Sequence, residues 1–323
     1  MHRRLFLQSG SAAAIGSLLA ACGGGGGGGT SAVAGSMVGG GSSGPGQAPA
    51  NAPTADGMPA KVLGCYFTAW DTSFRITDVP TDFNVIYLFH CKPNGKANNA
   101  GDGSVIFEHF GDITRDQVQA CRSRGQKVIL TVGGAGQGYA WDNRTKSTNL
   151  VNSFRAIADQ LGGIDGIDYN NYEGHIVHAG NVQTVGAEMV WAAQQLKAAY
   201  GQHFAVTSPP QPNDPVQRQL MQILANGGVL SYAAPQYYDW SGFNAPGFIS
   251  NSIDTWTQLV GEQHLAVGLT ANYHNGPSMD DCIREWNAIV AKHPGVRGMF
   301  CWSAQTNLQG GNAWGSQMRS MLG

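Results

Sequence analysis

Three acidic side chains, Asp165, Asp168 and Glu173, lie within nine residues of the sequence, in the stretch GIDGIDYNNYEG at 163–174. Neighbouring carboxyl groups raise one another's pKa, which keeps one of them protonated and able to donate a proton to a bound substrate. The spacing therefore indicates general acid chemistry if the fold brings these groups to one place. Two asparagines, Asn170 and Asn171, interrupt the acidic pattern.

The acidic stretch coincides with one of eight short apolar runs. Most are nearly continuous in hydrophobicity, which is typical of strands buried on both faces of a parallel sheet. The runs are 61–67, 83–90, 127–132, 163–169, 203–208, 229–238, 264–270 and 296–302. Segments of helical period separate them, among them 114–125, 149–162, 182–201 and 278–293.

Eight strands alternating with helices over about 250 residues predict an α/β fold, the (β/α)8 TIM barrel. A doubly wound open sheet is the alternative. That fold more often has about six strands and a glycine-rich phosphate turn after the first. The sequence GGAGQG at 133–138 does not have the spacing of such a turn.

Polar and aromatic residues follow the predicted strands, where the active site of a barrel lies. Each of them alone is more commonly a cap, a loop residue or a packing residue, but together they favour a site. The set is Tyr66, Trp70, His90, Gly133, Gly134, Asp165, Asp168, Asn170, Asn171, Glu173, Gln211, Gln236, Tyr238, Asp239, Asn272, Tyr273, Trp302 and Gln305.

Motifs in barrel order resemble the family-18 glycoside hydrolases, the chitinases and endo-β-N-acetylglucosaminidases, over residues 61–320. GCYFTAW is similar to their first strand, and KVILTVGGAG to their SxGG strand, with Thr131 in place of Ser. DGIDYNNYE resembles their DGxDxDxE strand, QYYD their sixth-strand motif and MFCWS their eighth strand.

The resemblance implies a substrate-assisted, retaining mechanism in which the protein supplies no nucleophile. Glu173 would protonate the glycosidic oxygen while the N-acetyl oxygen of the substrate attacks the anomeric carbon. Tyr238 would hydrogen-bond the acetamide, and Trp302 would lie under the sugar. The catalytic set implied is Glu173, Asp168, Asp165, Asn170, Asn171 and Tyr238, and the substrate-binding set is Trp302, Gln236, Asp239, Tyr66, Trp70, Gly133 and Gly134.

The acidic motif departs from the family pattern, because a strict count places Tyr172 where the family has its acid. A bulge near Tyr169 and Asn170 would bring Glu173 to the sugar, as would a strand that ends at Asn170 with Glu173 reaching in from the loop. Either route leaves Asn170 or Asn171 in place of the acetamide-orienting Asp. An amide hydrogen-bonds the acetamide but cannot share a proton or balance positive charge.

We expect this replacement to cost at least about a hundredfold in rate if the carboxylate is needed. The alternative function is therefore a catalytically impaired barrel that acts as a carbohydrate-binding protein. In either case the expected partner is an N-acetylglucosamine-containing polysaccharide or glycan. No metal or organic cofactor is expected, since His175 and His178 in a predicted loop are a weak metal signal.

The first 22 residues read as an export signal, with Arg3-Arg4, a short apolar run and small residues before Cys22. They resemble a twin-arginine-like lipoprotein signal with a lipobox and lipidation at Cys22, and a plain secretory signal is the alternative. Residues 23–58, almost entirely Gly, Ser, Ala and Pro, predict a flexible linker. The barrel domain is expected over 59–323.

These features predict an exported bacterial lipoprotein of the cell envelope, at the outer membrane or the cell surface. It would be held to the membrane by its lipid alone and be a monomer. Without the signal the chain has 17 basic and 21 acidic side chains, a net charge of −4 without long runs of either sign. Nucleic acid is therefore not an expected partner, because it requires a basic stripe.

Five cysteines follow Cys22, all within apolar segments and without CxxC spacing. Such residues usually behave as small buried hydrophobes. Since the first and last strands of a barrel are neighbours, Cys65 and Cys301 are the pair that a disulfide would join.

Overall fold

The computed structural model describes residues 54–95, 101–135, 137, 141–170, 181–239, 241–274 and 276–322. Cys22, Asn171 and Glu173 lie outside these ranges, so the predictions made for them are not addressed by the fold. The described residues all belong to one compact unit. Among them, no helix is both long enough and apolar enough to cross a membrane.

In the described ranges nine strands form one sheet, and eight of them are parallel. They are β1 Val62–Thr68, β2 Val85–Pro93, β3 Val105–Ile106, β4 Lys127–Gly133, β5 Gly166–Asn170, β6 Ala205–Ser208, β7 Tyr232–Ala233, β8 Val267–Gly268 and β9 Gly298–Trp302. The parallel strands follow the order β7-β6-β5-β4-β2-β1-β9-β8, and β3 pairs antiparallel with β2. Two isolated bridges, Ala233–Leu265 and Gln236–Gly268, join the two ends of this order. The predicted (β/α)8 barrel is confirmed.

Eight α-helices accompany the strands in the described part of the chain. They are α1 Arg115–Ser123, α2 Arg144–Gln160, α3 Val182–Tyr200, α4 Pro215–Asn226, α5 Phe248–Val260, α6 Met279–Lys292, α7 Ala304–Gln309 and α8 Ala313–Leu322. Side chains cap several of them, as Thr114 does by accepting a hydrogen bond from the Gln117 N–H. Short 3-10 turns lie at Ile76–Asp78 and Glu262–His264.

The alternation of side chains along each strand separates two cores. Leu63, Cys65 and Phe67 of β1 face the helices, whereas Tyr66 belongs to a cluster that fills the barrel interior. Tyr66 stacks on Tyr87 with ring centroids 4.6 Å apart. Gly64 makes room for this packing, because a Cβ atom there would lie 2.7 Å from the Tyr87 ring.

The amino-terminal base of the barrel is closed by residues that precede β1. Asp56 forms an ion pair with Arg297 at 2.6 Å, and Thr54 accepts a hydrogen bond from the same guanidinium at 2.7 Å. Burial raises the pKa of Asp56, but the hydrogen bonds and charge of Arg297 outweigh it and lower the pKa to about 2. Met58 is also buried. The predicted linker therefore extends too far, since residues 54–58 pack against the barrel.

All five described cysteines are buried. Cys65 and Cys301 lie opposite each other in the register of β1 and β9, so the expected pairing of the first and last strands is confirmed. The two thiols form no disulfide. Burial raises the pKa of the Cys65 thiol well above its ordinary value.

Candidate active site

A cavity of about 280 Å³ opens at the carboxyl ends of the barrel strands. Of the predicted catalytic and substrate-binding residues, Asn170, Tyr238, Trp302, Gln236, Asp239 and Trp70 line it. The remaining lining residues are Phe89, His90, Ala135 and Tyr273. His90 and Tyr273 belong to the wider group expected at the strand ends, whereas Phe89 and Ala135 were not predicted.

Asp168 lies in the barrel interior, one inward-facing position below Asn170. It is 1% exposed and accepts hydrogen bonds from the hydroxyl groups of Tyr66 (2.8 Å), Thr131 (3.1 Å) and Thr207 (2.7 Å). Burial raises the pKa of Asp168 to about 6, although the three hydrogen bonds act in the opposite direction. Near neutral pH this carboxyl group can therefore both hold and release a proton.

Asn170 is the last residue of β5 and forms part of the cavity wall. The pairing of β4 with β5 runs without a shift from Ile129–Gly166 to Gly133–Asn170. The bulge considered near Tyr169 and Asn170 is thus absent from the described part of the strand. The Oδ1 atom of Asn170 is buried and has no hydrogen-bond partner among the described residues.

Tyr238 and Gln236 form a hydrogen-bonded unit on the next wall. The Tyr238 hydroxyl donates to Oε1 of Gln236, and Nε2 of Gln236 donates to the Pro209 carbonyl oxygen at 2.6 Å. Tyr238 also packs edge-on against Tyr273, with ring centroids 5.9 Å apart. Gln236 thereby fixes the position of the tyrosine hydroxyl.

Aromatic rings form a further part of the cavity wall. Trp302 packs edge-on against Phe89 at 4.9 Å between centroids, and its backbone N–H donates to Oγ1 of Thr270 at 2.8 Å. Trp70 lies at the rim and is 49% exposed. An exposed indole and a partly buried one on the same cavity suit a ligand that has apolar faces and polar edges, as a sugar ring does.

The rim between β7 and β8 has an unusual backbone. Asp239, Asn272 and His274 all have positive φ angles, of 69°, 58° and 47°. Residues other than glycine adopt this region rarely, and such positions cluster at functional sites. Asp239 and His274 are joined by a hydrogen bond across the rim.

Asp165 is separated from the cavity, which corrects its predicted place in the catalytic set. It precedes the first residue of β5 and therefore lies at the amino end of the barrel, whereas the cavity lies at the carboxyl end. There it accepts a hydrogen bond from the Val128 N–H at 2.9 Å and forms an ion pair with Arg122 at 3.1 Å. These contacts give Asp165 a structural role.

Tyr66, Gly133 and Gly134 also contribute indirectly rather than as part of the cavity lining. Tyr66 is 1% exposed and contacts Asp168 below the cavity. Gly134 has a φ of 130°, and a Cβ atom there would lie 2.4 Å from the Phe89 ring. Gly133, with a φ of 91°, ends β4.

Trp141 and Tyr237 belong to the core rather than to the cavity wall. Trp141 is 1% exposed and donates to the Gly103 carbonyl oxygen, and Tyr237 is fully buried and donates to Ser252. Trp240 lies outside the described residues. Within the described ranges, no group of three or more His, Cys, Asp or Glu residues could hold a metal ion.

No protein-family model matches the sequence. A probable class II chitinase of Arthroderma benhamiae is 25% identical over 240 residues, which cover 68% of each chain. A family GH18 chitinase from Chromobacterium violaceum has the same fold, with a TM-score of 0.69 and 20% identity over 81% of this chain and 83% of that one.

The fold also occurs in a xylanase and α-amylase inhibitor protein, with a TM-score of 0.60 and 16% identity over 80% of this chain and 97% of that one. The barrel, the motifs along its strands and the similarity to curated chitinases agree with one another. The chain is thus similar to curated chitinases and has the fold of a family GH18 chitinase.

Proposed function

We propose that this protein is a chitinase-like hydrolase that cleaves β-1,4-linked N-acetylglucosamine glycans by a substrate-assisted, retaining mechanism. The observation that carries the proposal is the cavity in which Asn170, Tyr238 and Trp302 converge above the buried carboxyl group of Asp168. Trp302 offers an apolar face for a sugar ring. Tyr238 and Asn170 offer polar groups to its acetamide.

In the proposed reaction, Glu173 gives its proton to the glycosidic oxygen as the bond from that oxygen to the anomeric carbon breaks. The acetamide oxygen forms a new bond to the anomeric carbon from the other face. Water then opens this ring and returns a proton to Glu173, so the configuration is retained. Glu173 lies three residues beyond Asn170 in the sequence, which allows it to reach the same end of the barrel.

The neutral amide of Asn170 is the weak point of this reaction. A positive charge develops on the acetamide as it attacks, and an amide oxygen balances it less well than a carboxylate does. Asp168 lies one inward position lower and is itself partly protonated near neutral pH, because burial raises its pKa to about 6. We therefore expect slow turnover with intact sugar binding.

A second candidate function is carbohydrate binding without hydrolysis. The observation that favours it is the same amide at Asn170, together with the shift of Glu173 by one residue from the family spacing. A xylanase and α-amylase inhibitor protein has the same fold, so this barrel is not confined to hydrolases.

Hydrolysis of N-acetylglucosamine oligomers by the chain from residue 23 onward separates the two candidates. We would compare it with Glu173→Gln and with Glu188→Gln, a control on α3 whose carboxylate pairs with Arg144. Release of reducing ends that only Glu173→Gln abolishes, with binding intact in all three proteins, supports the hydrolase. Binding without release in any of them supports the sugar-binding barrel.

We also propose that the protein is an exported lipoprotein of the cell envelope, acylated at Cys22. The support is the order of basic, apolar and small residues before Cys22 in the sequence. Metabolic labelling with radioactive palmitate should label the full chain but not Cys22→Ser. Equal labelling of the two proteins would contradict acylation at this residue.

A further inference from the structure

The cavity wall contains a side chain to which the sequence motifs assign no role, His90 near the end of β2. Its ring packs against Phe89 with centroids 4.1 Å apart and meets the edge of Trp70 at 5.6 Å. Both ring nitrogens are shielded from water, and neither has a hydrogen-bond partner among the described residues.

A buried polar atom without a partner costs free energy, so folded proteins retain few of them, and each calls for an explanation. Oδ1 of Asn170 is another such atom, and it belongs to the same cavity. Two side chains on one cavity thus have buried polar atoms without a hydrogen-bond partner among the described residues, which indicates a ligand that brings its own donors and acceptors.

The protonation state of His90 indicates which chemical group of the ligand would hydrogen-bond to it. Burial lowers the pKa of His90, and the positive charges of His109 and Lys92 lower it further against the opposing effect of Glu108, to about 4. The ring is therefore neutral near pH 7, with one nitrogen as a donor and the other as an acceptor. A hydroxyl group, which both donates and accepts, matches a neutral imidazole better than an anion does.

We propose that His90 is a further substrate-binding residue, which hydrogen-bonds a hydroxyl group of the N-acetylglucosamine unit held in the cavity. This inference rests on the proposed sugar site. Asn170 takes the complementary part, with its free Oδ1 accepting a hydrogen bond from the acetamide N–H. The cavity thus hydrogen-bonds two parts of the same sugar, its N-acetyl group and a ring hydroxyl group.

The test compares binding of the N-acetylglucosamine trimer to four forms of the chain from residue 23 onward, all carrying Glu173→Gln to prevent hydrolysis. They are the parent, His90→Phe, His90→Gln and the control His203→Phe. Phenylalanine keeps a ring against Phe89 and Trp70 but removes both nitrogens, whereas glutamine restores one donor and one acceptor. His203 is exposed and lies far from the cavity, near Ala55 at the barrel base.

Isothermal titration should show roughly tenfold weaker trimer binding in His90→Phe, as expected for the loss of a hydrogen bond in a shielded place. His90→Gln should fall between His90→Phe and the parent, and His203→Phe should bind as the parent does. The thermal midpoint of unliganded His90→Phe should equal or exceed that of the parent, because the variant no longer buries unpaired nitrogens. If His90 served only in packing, His90→Phe would instead have a lower thermal midpoint than the parent.

Whether the parent protein binds the trimer distinguishes a failure of this inference from a failure of the proposed function. If the parent binds the trimer and His90→Phe binds it within twofold, the role of His90 is refuted and the sugar site stands. A His90→Phe midpoint several degrees below that of the parent refutes the role as well, because it marks a packing residue. A parent that binds no trimer overturns the sugar site and this inference with it.

Discussion

Replacing Asn170 by Asp restores a carboxylate at the position where the acidic strand departs from the family pattern. The new group would line the cavity one inward position above Asp168, which is buried and already has a pKa raised to about 6. Inward-facing neighbours on one strand are about 6–7 Å apart. At that distance two charges repel by about 2.5 kcal/mol with an effective dielectric constant of about 20, which equals about 2 pKa units.

Two consequences follow for Asn170→Asp. The upper apparent pKa of the carboxyl pair should rise from about 6 to about 8, so that the pair holds one proton at neutral pH. The hydrolysis rate should rise by about a hundredfold, because a charge near the acetamide stabilises the transition state. The expected optimum lies below pH 8, where the shared proton is still present.

The same substitution should lower stability in a pH-dependent way. The folded pair has a pKa above that of an unfolded aspartate, so stability is present at low pH and is lost as the pH rises through the folded pKa. We expect a loss of about 2–3 kcal/mol in the free energy of unfolding at pH 8.5 and a much smaller loss at pH 5. Urea unfolding at both pH values measures this difference.

Asn84→Asp is the matched control, since Asn84 is also buried but lies beside Lys61 and Leu63 at the base. It should lose stability without any gain in rate. A rate unchanged by Asn170→Asp, with trimer binding intact, would refute the reasoning that the missing charge limits turnover. An equal loss of stability at pH 5 and pH 8.5 would refute the Coulomb calculation.

Three further predictions concern other parts of the fold. Trp302→Ala should weaken trimer binding by tenfold or more in titration calorimetry, because it removes a large aromatic surface from the cavity. Burial raises the pKa of Asp168 from 3.8 to about 6, so the free energy of unfolding should fall by about 2.4 kcal/mol from pH 4 to pH 7. Asp168→Asn should lack most of this fall. Asp56→Ala should lower the unfolding free energy by about 3 kcal/mol in urea, because it leaves the guanidinium of Arg297 buried without its anion.

The barrel could be predicted because each strand is apolar on both faces. The resulting apolar run can be recognised in the sequence even where the strand is short. β7 and β8 have only two residues each, yet both lie within predicted runs. Helix α4 was not singled out although Asp214 and Pro215 mark its start, and α5 follows Gly247, which offers no side-chain cap. Local sequence patterns therefore predict the order of the helices and strands better than the residues at which each begins and ends.

The candidate site could be predicted in part. Residues at the end of a strand, such as Trp302, reach the cavity because strand direction alone determines the end of the barrel at which they lie. Asp165 was misplaced because the acidic motif runs along the strand, and five residues of strand span about 16 Å. The role of His90 depends on its ring nitrogens having no hydrogen-bond partner in the described part of the chain, which only three-dimensional packing determines.

The ion pair between Asp56 and Arg297 has a practical consequence for handling the protein. It holds the chain at the base of the barrel, so residue 54 enters at the end opposite the mouth of the cavity. Attachment to a bead or a sensor surface through the amino terminus should therefore leave the mouth free for an insoluble polymer. Attachment through a cysteine introduced at the rim would obstruct it.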